Sequence, residues 1–269
     1  AAFLEHPYHW PVIGYEDDMK NWTQADLERY FKTYYAPNNC VVVVSGSLKF
    51  DEVKRLAEKY LEPIPAQPAP PVVHIKEPEQ TGERRVTVQK DVATPYLMIA
   101  YHTPEAKHED YYALNILSDI LSSGNSSRLY SVLVDKKQLA TQVFTSYGES
   151  FDPTLFQVYA VTNKNINEVD LEKAIYEELE SIKKDGISEK ELQKIKNQKL
   201  MDFYNQVETI NGKSNNIGTY EVFFFFYKKM FDAPANYNKV TAADVQNVAK
   251  KYFSKSNRTV GVSKSNTED

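Results

Sequence analysis

The sequence predicts an α+β chain built on a duplicated helix–turn–strand segment, and three observations carry that prediction. First, T-Q-A-D-L-E-R-Y-F-K-T-Y-Y-A-P-N-N-C-V-V-V-V-S from Thr23 and T-A-A-D-V-Q-N-V-A-K-K-Y-F-S-K-S-N-R-T-V-G-V-S from Thr241 align without a gap, at an offset of 218 (241 minus 23). Thr23/Thr241, Ala25/Ala243, Asp26/Asp244, Lys32/Lys250, Tyr34/Tyr252, Asn39/Asn257, Val42/Val260, Val44/Val262 and Ser45/Ser263 are identical pairs. Second, a proline-rich stretch, Glu62 to Pro71, can sustain neither a helix nor a central strand and reads as a stiff connector. Third, strand-like runs are followed by long helical patterns in the second half of the chain.

Each element follows from its local pattern. Thr23 is an N-cap with Asp26 three residues on, and Leu27, Tyr30, Phe31 and Tyr34 form a helical stripe over 23–35. Ala36-Pro37-Asn38-Asn39 ends that helix, and 40–45 reads as a buried strand. A second amphipathic helix spans 51–60. Beyond the connector, 84–90 and 96–102 read as strands, 110–121 as an apolar helix stopped at Ser122-Ser123-Gly124-Asn125, and 127–134 as helical. A hairpin is expected from 141–149 and 155–162. Helices are expected over 167–184, 188–208, 213–230 and 241–253, and a last strand over 258–263.

The duplication bears on domain organisation. If the two repeat units are of equal extent, the second is nearly complete from about residue 83, whereas the first begins about 135 residues before Ala1. The expected division is 1–60 as the tail of the first unit, 61–82 as the linker and 83–269 as the second unit.

Composition sets further bounds. The 269 residues carry a net charge of −5, which offers no overall basic field for nucleic acid. No apolar run approaches the roughly 20 residues of a membrane span. Cys40 is the single cysteine, so no internal disulfide is possible, and its Cys-Val-Val-Val-Val setting predicts a buried structural thiol.

The first six residues, A-A-F-L-E-H, nearly spell the inverted zinc motif H-x-x-E-H, with Glu5 and His6 in place but Ala2 at the first histidine. That motif works when a helix brings both imidazoles to one face. Pro7 pushes His6 toward extended geometry and Pro11 interrupts any continuing helix, so no zinc-ligating role is assigned to Glu5 or His6.

H-P-Y-H-W-P-V-I-G (6 to 14), T-x-A-D-L (23 to 27), Y-Y-A-P-N-N (34 to 39), V-V-V-V-S-G (41 to 46) and S-S-G-N-S-S-R-L-Y (122 to 130) together resemble the pitrilysin/insulinase family of zinc metallopeptidases. The nearest subgroup is that of small bacterial zinc proteases and mitochondrial processing peptidases. The resemblance implies two homologous α+β units, each an antiparallel-rich sheet covered by helices. It implies zinc in the intact protein, with the ligands and general-base glutamate lying before Ala1, so this chain alone is expected to bind no metal and catalyse nothing. It implies a peptide or small-protein substrate, a homologous partner subunit in a homo- or heterodimer, and a bacterial periplasm or cytoplasm. The family's second unit supplies an arginine and a tyrosine, seven residues apart, that contact substrate. Here those positions are Val134 and Thr141, a degenerate pair: valine donates nothing, and threonine reaches less far. The pair fits either a half-equipped protease subunit or a non-catalytic scaffold like the core proteins of the respiratory cytochrome bc complex.

Other candidates give way to plainer readings. His102, Glu105, His108 and Glu109 share no ligand spacing, and Pro104 interrupts them. Glu221 to Tyr227 is too short to span a membrane and reads as a core or interface helix. G-N-S-S-R-L-Y lacks the phosphate-loop lysine and reads as a turn between helices. The mixed charges between Glu178 and Glu191 read as solvated helix faces.

Overall fold

A computed structural model describes residues 1–265. In chain order the elements are α1 (Glu16–Asn21), α2 (Gln24–Tyr34), α3 (Phe50–Tyr60), β1 (Arg84–Gln89), β2 (Tyr96–Thr103) and α4 (Tyr111–Ser122). A π-helix (Tyr130–Lys136), β3 (Ala140–Ser146), β4 (Thr154–Thr162), α5 (Glu168–Asp185), α6 (Glu189–Glu208) and α7 (Ile210–Phe224) follow, then α8 (Ala233–Lys239), α9 (Ala242–Tyr252) and β5 (Arg258–Lys264). The chain forms two compact units. The larger comprises Ala1–Ala2, Glu79–Tyr204 and the residues from Phe231 on; the smaller comprises Phe3–Pro78 and Asn205–Met230.

The larger unit holds one five-stranded sheet in the order β1-β5-β2-β4-β3, antiparallel except for the β1–β5 pair. Alternate residues of each strand face the helices. Leu97, Ile99 and Tyr101 of β2, Phe156, Val158 and Ala160 of β4, and Val260 and Val262 of β5 are buried there with Leu114, Ile116, Leu117 and Leu121 of α4, Leu171 and Ile175 of α5, and Val245, Val248 and Ala249 of α9. Each fully buried aliphatic side chain in that layer contributes about 1.5–3 kcal/mol. Helix ends are set locally: Asn167 Oδ1 accepts from Val169 N at 2.9 Å to start α5, and Gly186, at φ +74°, ends it.

The smaller unit contains no strand among its described residues. Its opening segment is held by a carboxylate: Glu77 accepts from the backbone N–H groups of Leu4, Glu5 and His6 at 2.9–3.1 Å. The segment is extended at His6, which caps the short 3₁₀ turn Pro7–His9, in keeping with the proline-imposed geometry.

Both repeat copies build the same cap. Asp26 N donates to Thr23 Oγ1 and Thr23 N to Asp26 Oδ2 (3.3 and 3.1 Å); Asp244 and Thr241 make the same pair of bonds at 3.1 and 2.8 Å. At the other helix end, Asn39 Nδ2 donates to Tyr34 O at 2.9 Å and Asn257 Nδ2 to Tyr252 O at 2.8 Å.

Beyond the turn the copies part, and here the sequence reading is corrected. The second copy forms β5, hydrogen-bonded between β1 and β2. The first, 40–45, forms no strand, and Cys40 is exposed rather than buried. Val42 is 61% exposed where Val260 is 1% exposed. Four consecutive valines favour extended backbone, but a strand exists only through its ladder, and no described strand flanks 40–45. Two helical expectations also change. The helix expected over 127–134 forms from Arg128 but widens into a π-helix over Tyr130–Lys136. The helix expected over 213–230 stops at Phe224, because Phe225 adopts φ +56°, and Tyr227–Asp232 is a 3₁₀ turn leading to the unforeseen α8. Within Glu221–Tyr227 only Phe224 is buried, so that stretch is a helix end with exposed rings rather than a core helix.

Candidate functional site

Val134 lies in the π-helix, half-buried with its side chain packed on the core beside Leu133. The wider turn is visible in its closing bonds, Lys137 N to Val132 O and Leu139 N to Leu133 O, both 2.8 Å. Gln138 then takes a left-handed conformation, φ +52°. Thr141 follows as the extra residue of a β-bulge: Ala140 pairs with Thr162 and Gln142 with Val161, leaving Thr141 unopposed. It is exposed, and its hydroxyl donates to Val161 O at 3.5 Å. Neither side chain is an acid or base at neutral pH.

The side of the sheet away from the helices begins next to that bulge. Strand register sets two rows on it: Val86, Gly261, Met98, Tyr159 and Phe144, and beside them Val88, Ser263, Tyr96, Val161 and Gln142. Phe144 stacks on Tyr159 with centroids 4.7 Å apart. Tyr96, Met98 and Phe144 are 40–50% exposed. Burial raises the Tyr159 phenol above its ordinary pKa, so it stays neutral. A third row is partly covered: Thr259 donates to Gln80 Oε1 at 3.2 Å, and the carbonyl of Ala2 is held by Arg84 at 2.6 Å and by the His102 ring at 2.9 Å.

Several ionisable groups pair away from these two rows. On the helix side, Arg85 bonds both Glu83 and Glu172, Arg258 bonds Glu83 and lies 3.8 Å from the centroid of the Tyr176 ring, and Tyr176 donates to Glu172. Two carboxylates and two guanidiniums are thereby matched around a Glu172 that is only 5% exposed. Burial, and then the hydrogen bond to Glu172, raise the Tyr176 hydroxyl well above its ordinary range. No sequence motif announces this network, because its members are brought together only by the sheet and α5.

Arg128 of G-N-S-S-R-L-Y forks onto Glu191 at 2.7 and 3.0 Å and donates to Gly186 O at 3.2 Å. The Arg128 hydrogen bond, with those from Ser188, holds the Glu191 carboxyl down at about 2. The motif is thus a helix-tethering turn whose cation is already paired. Asp110 sits under Lys251 and Tyr252 (2.7 and 2.6 Å); burial opposes its ionisation, but those hydrogen bonds hold its carboxyl below its ordinary value.

Zinc can be tested against the donors present. His6 Nδ1 accepts from Tyr8 N at 3.2 Å, His9 Nδ1 meets Phe3 O at 2.8 Å, His102 Nε2 meets Ala2 O, and His108 Nδ1 accepts from Asp110 N at 3.0 Å. Glu105, Glu109 and Glu5 complete no set with them: among the described residues no three His, Cys, Asp or Glu side chains converge as a metal site. The described residues therefore do not fit the ion. Nor is any described helix long and apolar enough to cross a membrane.

A mixed five-stranded sheet with helices on one side, and duplicated capping at Thr23 and Thr241, define a metallopeptidase-type α+β chain, and no three His, Cys, Asp or Glu side chains among its described residues group as a metal site. The family model described as Peptidase M16 inactive domain matches residues 21–199, and the chain belongs to that family, the C-terminal part of pitrilysin-type zinc peptidases. It is 35% identical to "Zinc protease PqqE" of Helicobacter pylori over 94% of its own length and 57% of that relative's. A crystallised protease from Helicobacter pylori superposes with a TM-score of 0.93 at 35% identity, covering 98% of this chain and 64% of that one. A protein of Schizosaccharomyces pombe named "Probable mitochondrial-processing peptidase subunit beta" is 29% identical over 63% of this chain and 39% of its own length. The chain thus spans about three-fifths or less of these relatives.

Proposed function

We propose that this chain is the chemically silent, peptide-holding half of a zinc-dependent metalloendopeptidase, with residues 1–60 as the tail of a catalytic-type unit, 61–82 as linker and 83–269 as the inactive-type unit. The observation that carries the reading is the pair of uncharged residue rows on the open side of the sheet, which begin beside the bulge at Thr141 and the π-helix bearing Val134. A surface of that kind accommodates peptide without competing chemistry. Zinc belongs to the intact protein, where it would activate water for peptide hydrolysis, and its ligands lie outside residues 1–265. Substrate is a peptide or small protein, and a homologous subunit completes the assembly; the processing-peptidase relative supports that partner.

Two measurements test the reading. The purified chain should hold no stoichiometric zinc and cleave no quenched-fluorescence peptide; turnover by the chain alone refutes it. In the complete assembly, Val134→Arg with Thr141→Tyr should raise peptide turnover if the degenerate pair limits it, through donors that stabilise the developing oxyanion. Unchanged turnover assigns those donors to the partner subunit. An assembly with no peptidase activity even after this restoration favours the scaffold reading instead.

A further inference from the structure

We infer that the two open rows of the sheet form a trough for an extended, uncharged peptide segment, and that Met98, Tyr159, Phe144 and Gly261 set its preference for apolar side chains. The inference rests on the peptide-holding reading above and adds to it the class of peptide and the residues that select it.

Chemistry fixes the class. The ten residues of the two rows include no Asp, Glu, Lys, Arg or His, in a chain where about a quarter of all residues are charged. A charged side chain laid on these two rows would lose hydration and find no counter-ion among their ten residues. An apolar one would meet the Phe144–Tyr159 stack and the Met98 thioether, which is adaptable and favours aromatic contact.

Size fixes the form of the occupant. Five strands about 4.8 Å apart make each row roughly 19 Å long, and rows two residues apart are separated by about 7 Å. A fully extended segment of about six residues spans that length. The same footprint falls far below the roughly 800 Å² per partner of a stable protein–protein contact. The trough is therefore of peptide size, not of subunit size.

Two details shape it. Gly261 interrupts the first row between Val86 and Met98. Glycine inside a strand leaves room for a bulge, a bend or the close approach of a ligand or another backbone, and a methyl added at Gly261 would sit 3.6 Å from Val86, an ordinary contact. Position 261 thus tolerates alanine sterically, and the glycine leaves space over the floor. At one side the trough is bounded by chain already lying on the sheet, the Ala2 carbonyl held by Arg84 and His102.

The test uses this chain and three fluorescein-labelled Gly-Ser nonapeptides, carrying at their centre Leu-Phe-Leu, Lys-Ser-Lys or Glu-Ser-Glu, read by anisotropy. The Leu-Phe-Leu peptide should bind at least about tenfold tighter than the other two, the discrimination that one well-seated aromatic residue supplies. Phe144→Glu should abolish that difference, Gly261→Ala should weaken the Leu-Phe-Leu peptide by filling the gap, and Met98→Leu should leave it bound. Far-UV circular dichroism confirms that each variant folds, and Val12→Glu, at a fully exposed position of the smaller unit, is the control. Equal binding of all three peptides, or indifference to Phe144→Glu and Gly261→Ala, overturns the inference and leaves the peptide-holding reading standing. Failure of every peptide to bind overturns both. Sedimentation showing a dimer that Phe144→Glu dissolves also overturns it, by making a second copy the occupant.

Discussion

Val260→Ala and Val42→Ala remove the same two methyl groups from residues at equivalent repeat positions, yet should have different consequences. Val260 is 1% exposed in the layer between β5 and the helices. Losing about 0.8 kcal/mol per methyl-sized group gives about 1.6 kcal/mol of transfer free energy. A residual cavity of up to about 50 Å³, at about 24 cal/mol per Å³, adds up to about 1.2 kcal/mol. The expected cost is therefore about 2–3 kcal/mol. Val42 is 61% exposed, so roughly two-fifths of the same transfer term applies with no cavity, about 0.6 kcal/mol at most. Urea denaturation followed by circular dichroism should show the midpoint for Val260→Ala falling by about 1 M, at slopes of a few kcal/mol/M, and that for Val42→Ala scarcely moving. Hydrogen exchange at the β2–β5 amides assigns the loss to the larger unit. Equal costs for the two variants refute the reasoning, because they would mean that 41–46 is packed as deeply as β5.

The Glu191 carboxyl, held at about 2 by Arg128 and Ser188, contributes stability that is complete above its unfolded value near 4.3 and is lost as pH falls toward 2. About a third of that side chain is exposed, so the amplitude after screening is about 1 kcal/mol, and Glu191→Gln should flatten the melting temperature over that window. Phe225→Gly should raise the melting temperature by the equivalent of about 1 kcal/mol, since a bulky residue at φ +56° strains the end of α7; a fall shows that the ring contacts outweigh the strain. Asn257→Ala should cost about 2 kcal/mol, because its amide bonds both Tyr252 O and His102 O, whereas Asn39→Ala, on an exposed turn, should cost less than about 1 kcal/mol in the same melts.

What could be read from the residues alone is what is decided within a few residues of chain. Thr23 and Thr241 announce their capping boxes because each partner lies three residues away. The strands of the hairpin and β5 were visible in their β-branched runs. The π-helix was not, because a bond to the fifth residue back leaves no periodic mark distinct from an ordinary turn. The open face was also hidden. In Tyr96 to Tyr101 both sides of β2 are apolar, so alternation does not reveal which side the helices cover.

The divergence of the two repeats says where strand identity resides. The hydrogen bonds of the caps and of the asparagine turn repeat to within a few tenths of an ångström, since they are closed by neighbours in sequence. The strand does not repeat, and it requires partners from distant sequence. The opening Glu5-His6 obeys the same logic in reverse. Its motif is local and inviting, but the backbone N–H groups of Leu4, Glu5 and His6 are fixed by Glu77, more than seventy residues away. A helix beginning there would have to break those three charge-assisted bonds. Long-range contacts thus decide whether a local pattern becomes a strand at 258–264 or no strand at 40–45, and whether Glu5 and His6 sit on a metal-binding helix or on a tethered, extended segment.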